Sequence, residues 1–215
     1  MLFSSEQSVV NAFHKLYYNA RRQKRTLGNT RFLGVDVQKC PLDLWIYQEI
    51  LFETRPDLIV ETGTAQGGSA LYLATLCDVM GAGRVVTIDI EDVTGRPRHP
   101  RVEYILGGSV DAQILAQVRS RVVEGERVMV ILDSDHSQAH VTAELREYSS
   151  LVSPGSYLIV EDTNVNGHPV RRDHGPGPME ALDEFLRTPQ PFEVDLSREK
   201  FFLTFNPRGY LRRRD

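Results

Sequence analysis

The sequence predicts an α/β fold, a doubly wound, mostly parallel seven-stranded sheet with helices ahead of it. Three observations lead there. The stretch Leu58 to Ser69, LIVETGTAQGGS, passes from an apolar run through a glycine loop into a helical pattern, the opening of a nucleotide-binding βαβ unit. Further apolar runs are unbroken rather than alternating and are separated by helical patterns, as expected of parallel strands buried on both faces. Acidic residues stand at the carboxyl ends of consecutive runs, where such a sheet gathers its ligands.

The elements follow in order. Residues from about Ser5 to Lys24 place Val9, Val10, Phe13, Leu16 and Tyr17 at helical spacing, with Ser4 or Ser5 as N-cap. The basic cluster Arg21, Arg22, Lys24 and Arg25 suits the negative end of that helix. Gly28 to Cys40 reads as a polar loop. Pro41 starts a second helix, PLDLWIYQEILFE, in which Trp45 is expected in the core or in a lid. Leu58 to Thr62 is the first strand and Gly68 to Met80 a helix closed by Gly81 and Gly83. Arg84 to Ile90 and Val102 to Leu106 are the next strands. Gly107, Gly108 and Ser109 then turn into a helix with Asp111 in its first turn. Val128 to Leu132, a helix over Gln138 to Leu151, Tyr157 to Val160 and a helix over Met179 to Arg187 continue the alternation. Phe192 to Leu196 and Lys200 to Phe205 are expected as a closing pair of strands around Ser197 to Glu199. They are too close in sequence for a crossover, so they pair antiparallel or lie apart. Residues 1–56 read as a helical extension on a single folding unit spanning 57–215.

Composition narrows the function classes. At 215 residues the chain can bury a sizeable core. A net charge of −4 gives no global basic footprint for nucleic acid. The arginines Arg212 to Arg214 read as a solvated tail. Cys40 and Cys77 form no CxxC pair, the mark of a reduced, cytoplasmic protein. MLFSSEQSVV lacks an apolar segment behind a basic start, so no signal peptide is expected, and no run reaches the length of a membrane span.

The polar residues carry the chemistry. Gly63, Gly67 and Gly68 let a ligand lie against main-chain atoms, and free N–H groups at the following helix start can donate to it. The spacing is E-x-G-x-x-x-G-G rather than the GxGxxG of dinucleotide folds, and a tight turn without ligand is the alternative. Asp89 ends the second strand, where a carboxylate can accept both hydroxyls of a ribose; a surface aspartate is the alternative. Ser109 falls at the adenine edge or caps a helix. Asp133, Glu161 and Asp162 end neighbouring strands. Three converging carboxylates repel unless a cation joins them, and oxygen-only ligands suit Mg²⁺, Mn²⁺ or Ca²⁺ better than zinc. Ion pairs to Arg171 or Arg172 are the competing reading. His136, in Asp-Ser-Asp-His-Ser, is either a general base or a loop-bonding histidine. His140, on the same face, gives an HxxxH pattern that is weak as a metal signal.

ETGTAQGGSALYLA, TIDI, ILDSDHSQAHVTAELREYSSLVSPGSYLIVEDTNVNG and GPGPMEALDEFL together resemble the cephalosporin hydroxylase / rhamnosyl O-methyltransferase family. PLDLWIYQEIL adds to the likeness, which runs from about Leu33 to Phe205. The resemblance implies a Rossmann-like class I fold that uses S-adenosylmethionine. It implies that Glu61, Gly63, Gly67, Ser69 and Asp89, with Thr64, Ala65, Ser109 and Asp133 on the same loops, hold that cofactor. It implies that Asp133, Glu161 and Asp162 hold Mg²⁺ (or Mn²⁺), and that His136, or Asp135 beside it, is the base.

The reaction so implied is methyl transfer to a hydroxyl of a small molecule: a sugar, a phenol or an antibiotic-like nucleus. Asn164 to Pro178, rich in glycine and proline, is the expected acceptor loop, with Arg171, Arg172, His168 and His174 at hand. Hydroxylation on the same scaffold is a rival, against which the two-histidine, one-carboxylate iron pattern is missing. An NAD-dependent oxidoreductase and a non-catalytic cofactor-binding partner are the others. The expected partners are a small hydroxyl acceptor and further copies of the chain, with no nucleic acid.

Overall fold

The structure, a computed structural model, describes residues 5–215. Its sheet strands are β1 (Leu58–Thr62), β2 (Arg84–Asp89), β3 (Val102–Leu106), β4 (Val128–Leu132), β5 (Tyr157–Val160), β6 (Phe192–Val194) and β7 (Tyr210–Arg213). Its helices are α1 (Glu6–Asn19), α2 (Pro41–Thr54), α3 (Gly68–Met80), α4 (Ala112–Arg121), α5 (Gln138–Tyr148) and α6 (Pro178–Arg187). The sheet order is β3-β2-β1-β4-β5-β7-β6. The first five strands are parallel, and β7 enters antiparallel between β5 and β6.

The unbroken apolar runs work as expected, because alternate residues feed two cores. Leu58, Val60, Val128 and Val130 face α4, α5 and α6, whereas Ile59, Met129 and Ile131 face α2 and α3. Each such side chain contributes roughly 1.5–3 kcal/mol when taken from water. Chain order reverses between β1 and β4, so the loops leaving these strands diverge and open a crevice at their carboxyl ends.

Several expectations are corrected. The first helix ends at Asn19, and Ala20–Gln23 forms a 3₁₀ turn closed by Lys24 in the left-handed region. Ser5 caps it by accepting from Ser8 N–H; Ser4 lies outside the described residues. Its inner face carries His14 and Tyr18, while Val9, Phe13 and Leu16 face outward. The loop before α2 holds a small hairpin, Arg31–Phe32 with Val35–Asp36. Trp45 belongs neither to core nor to lid; it is exposed and donates to Glu49.

The largest correction is at the C-terminus. Lys200 to Phe205 is not a strand. Phe202 takes a positive φ of 65°, which breaks extension, and Leu203 and Phe205 turn under α1 beside Tyr18. The strand is instead Tyr210–Arg213, so the arginines read as a tail partly belong to the sheet. Arg213 donates to the carbonyls of Ser150 and Val152.

Asp43 fastens this segment to α2. Its carboxylate is buried and accepts from Phe205 N–H at 2.8 Å and Tyr210 Oη at 2.8 Å. Burial pushes its pKa up to about 7, against the pull of these donors. Between the ordinary value of 3.8 and about 7, the folded chain binds more proton at Asp43 than the unfolded chain. The contribution of this group to stability therefore falls as pH rises through that window. Asp43→Asn is expected to remove that fall, so that urea unfolding shows the variant gaining on the wild type by at most about 4 kcal/mol from pH 4 to pH 7. Parallel pH profiles for the two proteins would refute the assignment.

Candidate active site

The crevice at the carboxyl ends of the strands is a cleft of about 690 Å³, within the usual range for ligand sites of about 300–1,000 Å³. Gly63, Ala65, Asp89, Gly107, Gly108 and Ser109 line one part of it, and Asp133, His136 and Asp162 another. Tyr18, Arg21, Arg171 and His174 border the end under α1.

The first part is built by the loop after β1. Gly63 has φ +84°, and a Cβ there would stand 1.7 Å from the carbonyl oxygen of Asp133, so only glycine lets the β1 and β4 exits meet. Gly67 has φ +80° and starts α3, with Ser69 buried in its first turn. Asp89 Oδ2 accepts from the N–H groups of Thr64 at 2.9 Å and Ala65 at 2.7 Å. Its other oxygen accepts from Glu91 N–H, and Arg96 stands 3.4 Å away. Asp89 thus ties the glycine loop to the tip of β2.

Glu61 is fully buried beneath the loop. Oε2 accepts from Thr87 Oγ1 at 2.8 Å, and Oε1 has no partner among the described residues. Burial pushes its pKa up to about 7, with Lys39 opposing. Ser109 Oγ donates to Glu144 Oε1 at 2.6 Å and stands 3.0 Å from His140 Nε2. Ser134 Oγ donates to the same Glu144 oxygen at 2.7 Å. Ser109 is therefore a member of a buried network rather than a helix cap.

The acidic part differs in detail from expectation. Donor atoms of Asp133, His136 and Asp162 lie within 4.8 Å of one another. His136 Nε2 is 3.2 Å from Asp162 Oδ2 and 3.9 Å from Asp133 Oδ1. Glu161 stands outside this trio. Its Oε1 meets Lys39 Nζ at 2.5 Å and accepts from Tyr47 Oη. Lys39 Nζ also donates to Asp133 Oδ2 at 2.6 Å. The counter-charge is thus a lysine from the segment before α2, and neither Arg171 nor Arg172 pairs with the cluster among the described residues.

Burial raises the pKa of Asp133, Glu161 and Asp162, with Lys39 or His136 opposing. For His136, burial lowers the pKa, yet the carboxylates of Asp162 and Asp133 leave it above its ordinary value. Asp135 also lines the cleft. It accepts from Ser137 N–H at 2.7 Å, and its bonds to Ser137 hold it below the usual carboxylate range. Asp162 adopts φ 54° and is braced by the Asn206 side chain, which accepts its N–H at 3.1 Å.

Sequence reasoning missed Lys39, Tyr47 and Glu144. Lys39 sits in a stretch that reads as polar loop, and nothing local marks it as buried. Tyr47 is one apolar position among many in α2. Glu144 carried a faint signal, lying one helical turn after His140.

The family described as Rhamnosyl O-methyltransferase/CmcI matches residues 24–214. A curated rhamnosyl O-methyltransferase of Mycobacterium tuberculosis (strain ATCC 25618 / H37Rv) is 38% identical over 221 residues, covering 98% of this chain and 87% of the relative. Its counterpart in Mycobacterium leprae (strain TN) is 37% identical, covering 100% and 94%. Among solved structures, an apo structure of CmcI superposes with a TM-score of 0.65 at 22% identity, over 86% of this chain and 76% of that one. A CmcI structure with Mg and SAM gives 0.63 at 22%, over 86% and 77%. The MycE methyltransferase with Mg, SAH and mycinamycin VI gives 0.51 at 20%, over 79% and 46%. At these identities the structural likeness establishes the fold.

The glycine geometry sets a direct check. Gly63→Ala meets both a backbone clash and the left-handed penalty, and is expected to cost more than about 3 kcal/mol in denaturant unfolding. Gly175→Ala, at φ +87° with open space around it, should cost only about 1–2 kcal/mol. Equal costs would show that the β1 exit relaxes freely.

Proposed function

The chain belongs to the Rhamnosyl O-methyltransferase/CmcI family, and from that premise we propose that it methylates a sugar hydroxyl, with a divalent cation held beside the acceptor. Dependence on S-adenosylmethionine and transfer to oxygen belong to the family reading as a whole. The sugar acceptor rests on the printed function of the relatives, which match over nearly the full chain. The cation rests on one observation above all, the convergence of Asp133, His136 and Asp162 at one end of the cleft.

The donor set fits both groups. An unpartnered Oε1 on Glu61 leaves an acceptor beneath the glycine loop, whose Thr64 and Ala65 N–H groups are held by Asp89, for a charged nucleoside ligand. The carboxylates of Asp133 and Asp162 suit Mg²⁺ or Mn²⁺, with His136 left beside them as the base, and the trio is not the two imidazoles and one carboxylate of non-haem iron oxygenases, which favours methyl transfer over hydroxylation. When bound, S-adenosylmethionine supplies an activated methyl group and a divalent cation lowers the pKa of the acceptor hydroxyl.

The chain's residues do the rest. Gly63, Thr64, Ala65, Gly67 and Ser69 shape the cradle, in which Asp89 would accept from the ribose and Ser109 would stand at the adenine edge. Asp133 and Asp162 fix the acceptor end, with Glu161 buttressing them through Lys39. His136 Nε2, between the two aspartates, is placed to take the hydroxyl proton once a cation offsets the carboxylates that now favour its charged form. Holding both reactants side by side in one cleft supplies much of the acceleration.

The test is calorimetric titration with S-adenosylmethionine followed by a rhamnoside screen that detects S-adenosylhomocysteine. The wild type should bind the cofactor, and Asp89→Ala should bind about 100-fold more weakly, a loss of about 2.7 kcal/mol. Turnover should require Mg²⁺ or Mn²⁺ and should fall with Asp133→Asn. Cofactor binding without turnover on any hexoside, while a catechol is methylated, would replace the sugar reading by a phenolic one.

A further inference from the structure

Lys39 is only 3% exposed, and two carboxylates stand at 2.6 and 2.5 Å from its nitrogen. A buried ammonium is costly unless paired, and so are buried carboxylates. The charges can be followed oxygen by oxygen. Asp133 gives Oδ2 to Lys39 and turns Oδ1 toward His136. Glu161 gives Oε1 to Lys39 and Tyr47. Asp162 turns Oδ2 to His136. Asp133, Glu161 and Asp162 set three carboxylates against one ammonium, an excess of negative charge that suits a divalent ion.

We propose that Lys39 is the resident counter-ion of the cation site: it balances Asp133 and Glu161 so that the cluster folds before a divalent ion arrives, and it thereby sets how tightly that ion is held. The proposal rests on the reading of the cluster as a cation site. Removing the ammonium leaves one more uncompensated negative charge beside the ion's ligands. The ion is then bound more tightly, and the folded state comes to depend on it. Lys39 acts through Asp133 and Glu161 and does not border the cleft itself, so it is a positioning residue.

The experiment compares wild type, Lys39→Met and the double variant Lys39→Met/Glu161→Gln. Mn²⁺ affinity is read from the electron paramagnetic resonance signal of the free ion, and thermal unfolding is followed in chelator and in Mn²⁺. Lys39→Met should melt below wild type in chelator, recover with Mn²⁺, and bind Mn²⁺ at least about tenfold more tightly. Simple structural damage would weaken binding, so the tightening is the decisive readout. The double variant removes one charge of each sign. It should fold in chelator and bind Mn²⁺ within about threefold of wild type, which keeps the test open if Lys39→Met does not fold alone. Wild-type binding with no gain in Lys39→Met, or a double variant that folds only with Mn²⁺, overturns the counter-ion role. Absence of Mn²⁺ binding in all three proteins overturns the cation site, and the proposal with it.

Discussion

Removing carboxylates from water at the ends of parallel strands is the constraint around which the rest of the structure is arranged. Glu61 is the last residue but one of β1, Asp133 and Glu161 directly follow β4 and β5, and Asp162 comes next. Strand pairing brings them within one crevice, because β1, β4 and β5 are adjacent. Each would be driven toward its neutral form if left alone. The chain answers from outside the sheet. Lys39 enters from the segment ahead of α2, Tyr47 from α2 itself, and Asn206 from the crossing near the C-terminus. The elements that look peripheral in sequence are the ones that make the strand ends tolerable.

That dependence explains the course of the last residues. A hairpin over 192–205 would have left the exit of β5 without cover. The chain instead turns under α1, places Phe205 N–H and Tyr210 Oη on Asp43, and sends Gly209 against the carbonyl of Val160. A Cβ at Gly209 would stand 2.2 Å from that carbonyl oxygen, so the close approach needs glycine. Thr163 Oγ1 bonds the carbonyl of Pro207, and Asn164 N–H that of Phe205. The loop that carries Glu161 and Asp162 is thereby held on two sides before β7 closes the sheet.

The parts of this fold legible in sequence are those whose signal is local. The five parallel strands, the helices between them and the glycine loop at Gly63 and Gly67 follow from apolar periodicity and backbone freedom. Asp89, Asp133 and Asp162 follow from their place at strand ends. Lys39 was not legible, because a lysine in a polar stretch reads as solvated and its burial is decided by residues 94 and 122 positions away. The FFLTF stretch misled for the converse reason. Its aromatic and β-branched residues suit a strand, but tertiary contacts with His14, Tyr18 and Asp43 override that propensity. The outward-facing Val9, Phe13 and Leu16 show the same limit, since helical spacing reports an apolar face without saying which way it turns.

The placement of Lys39 also bears on the chemistry. A sulfonium donor loses its positive charge as the methyl group leaves, so exposed cations beside it would favour the product state of the donor from the start and weaken its binding. The cluster needs an ammonium to fold, and the structure keeps that ammonium out of the cleft, spent on Asp133 and Glu161. Arg21, stacked over Tyr18, and Arg171 line the same cleft. The glycine-loop part of the cleft is bounded by Asp89 and the Ser109 network, and Arg96 there is drawn onto Asp89 and the carbonyl of Ala65. A lysine facing the cleft would stabilise the acids equally well but add a positive charge beside the donor; a lysine behind the acids serves the fold and adds no charge to the cleft.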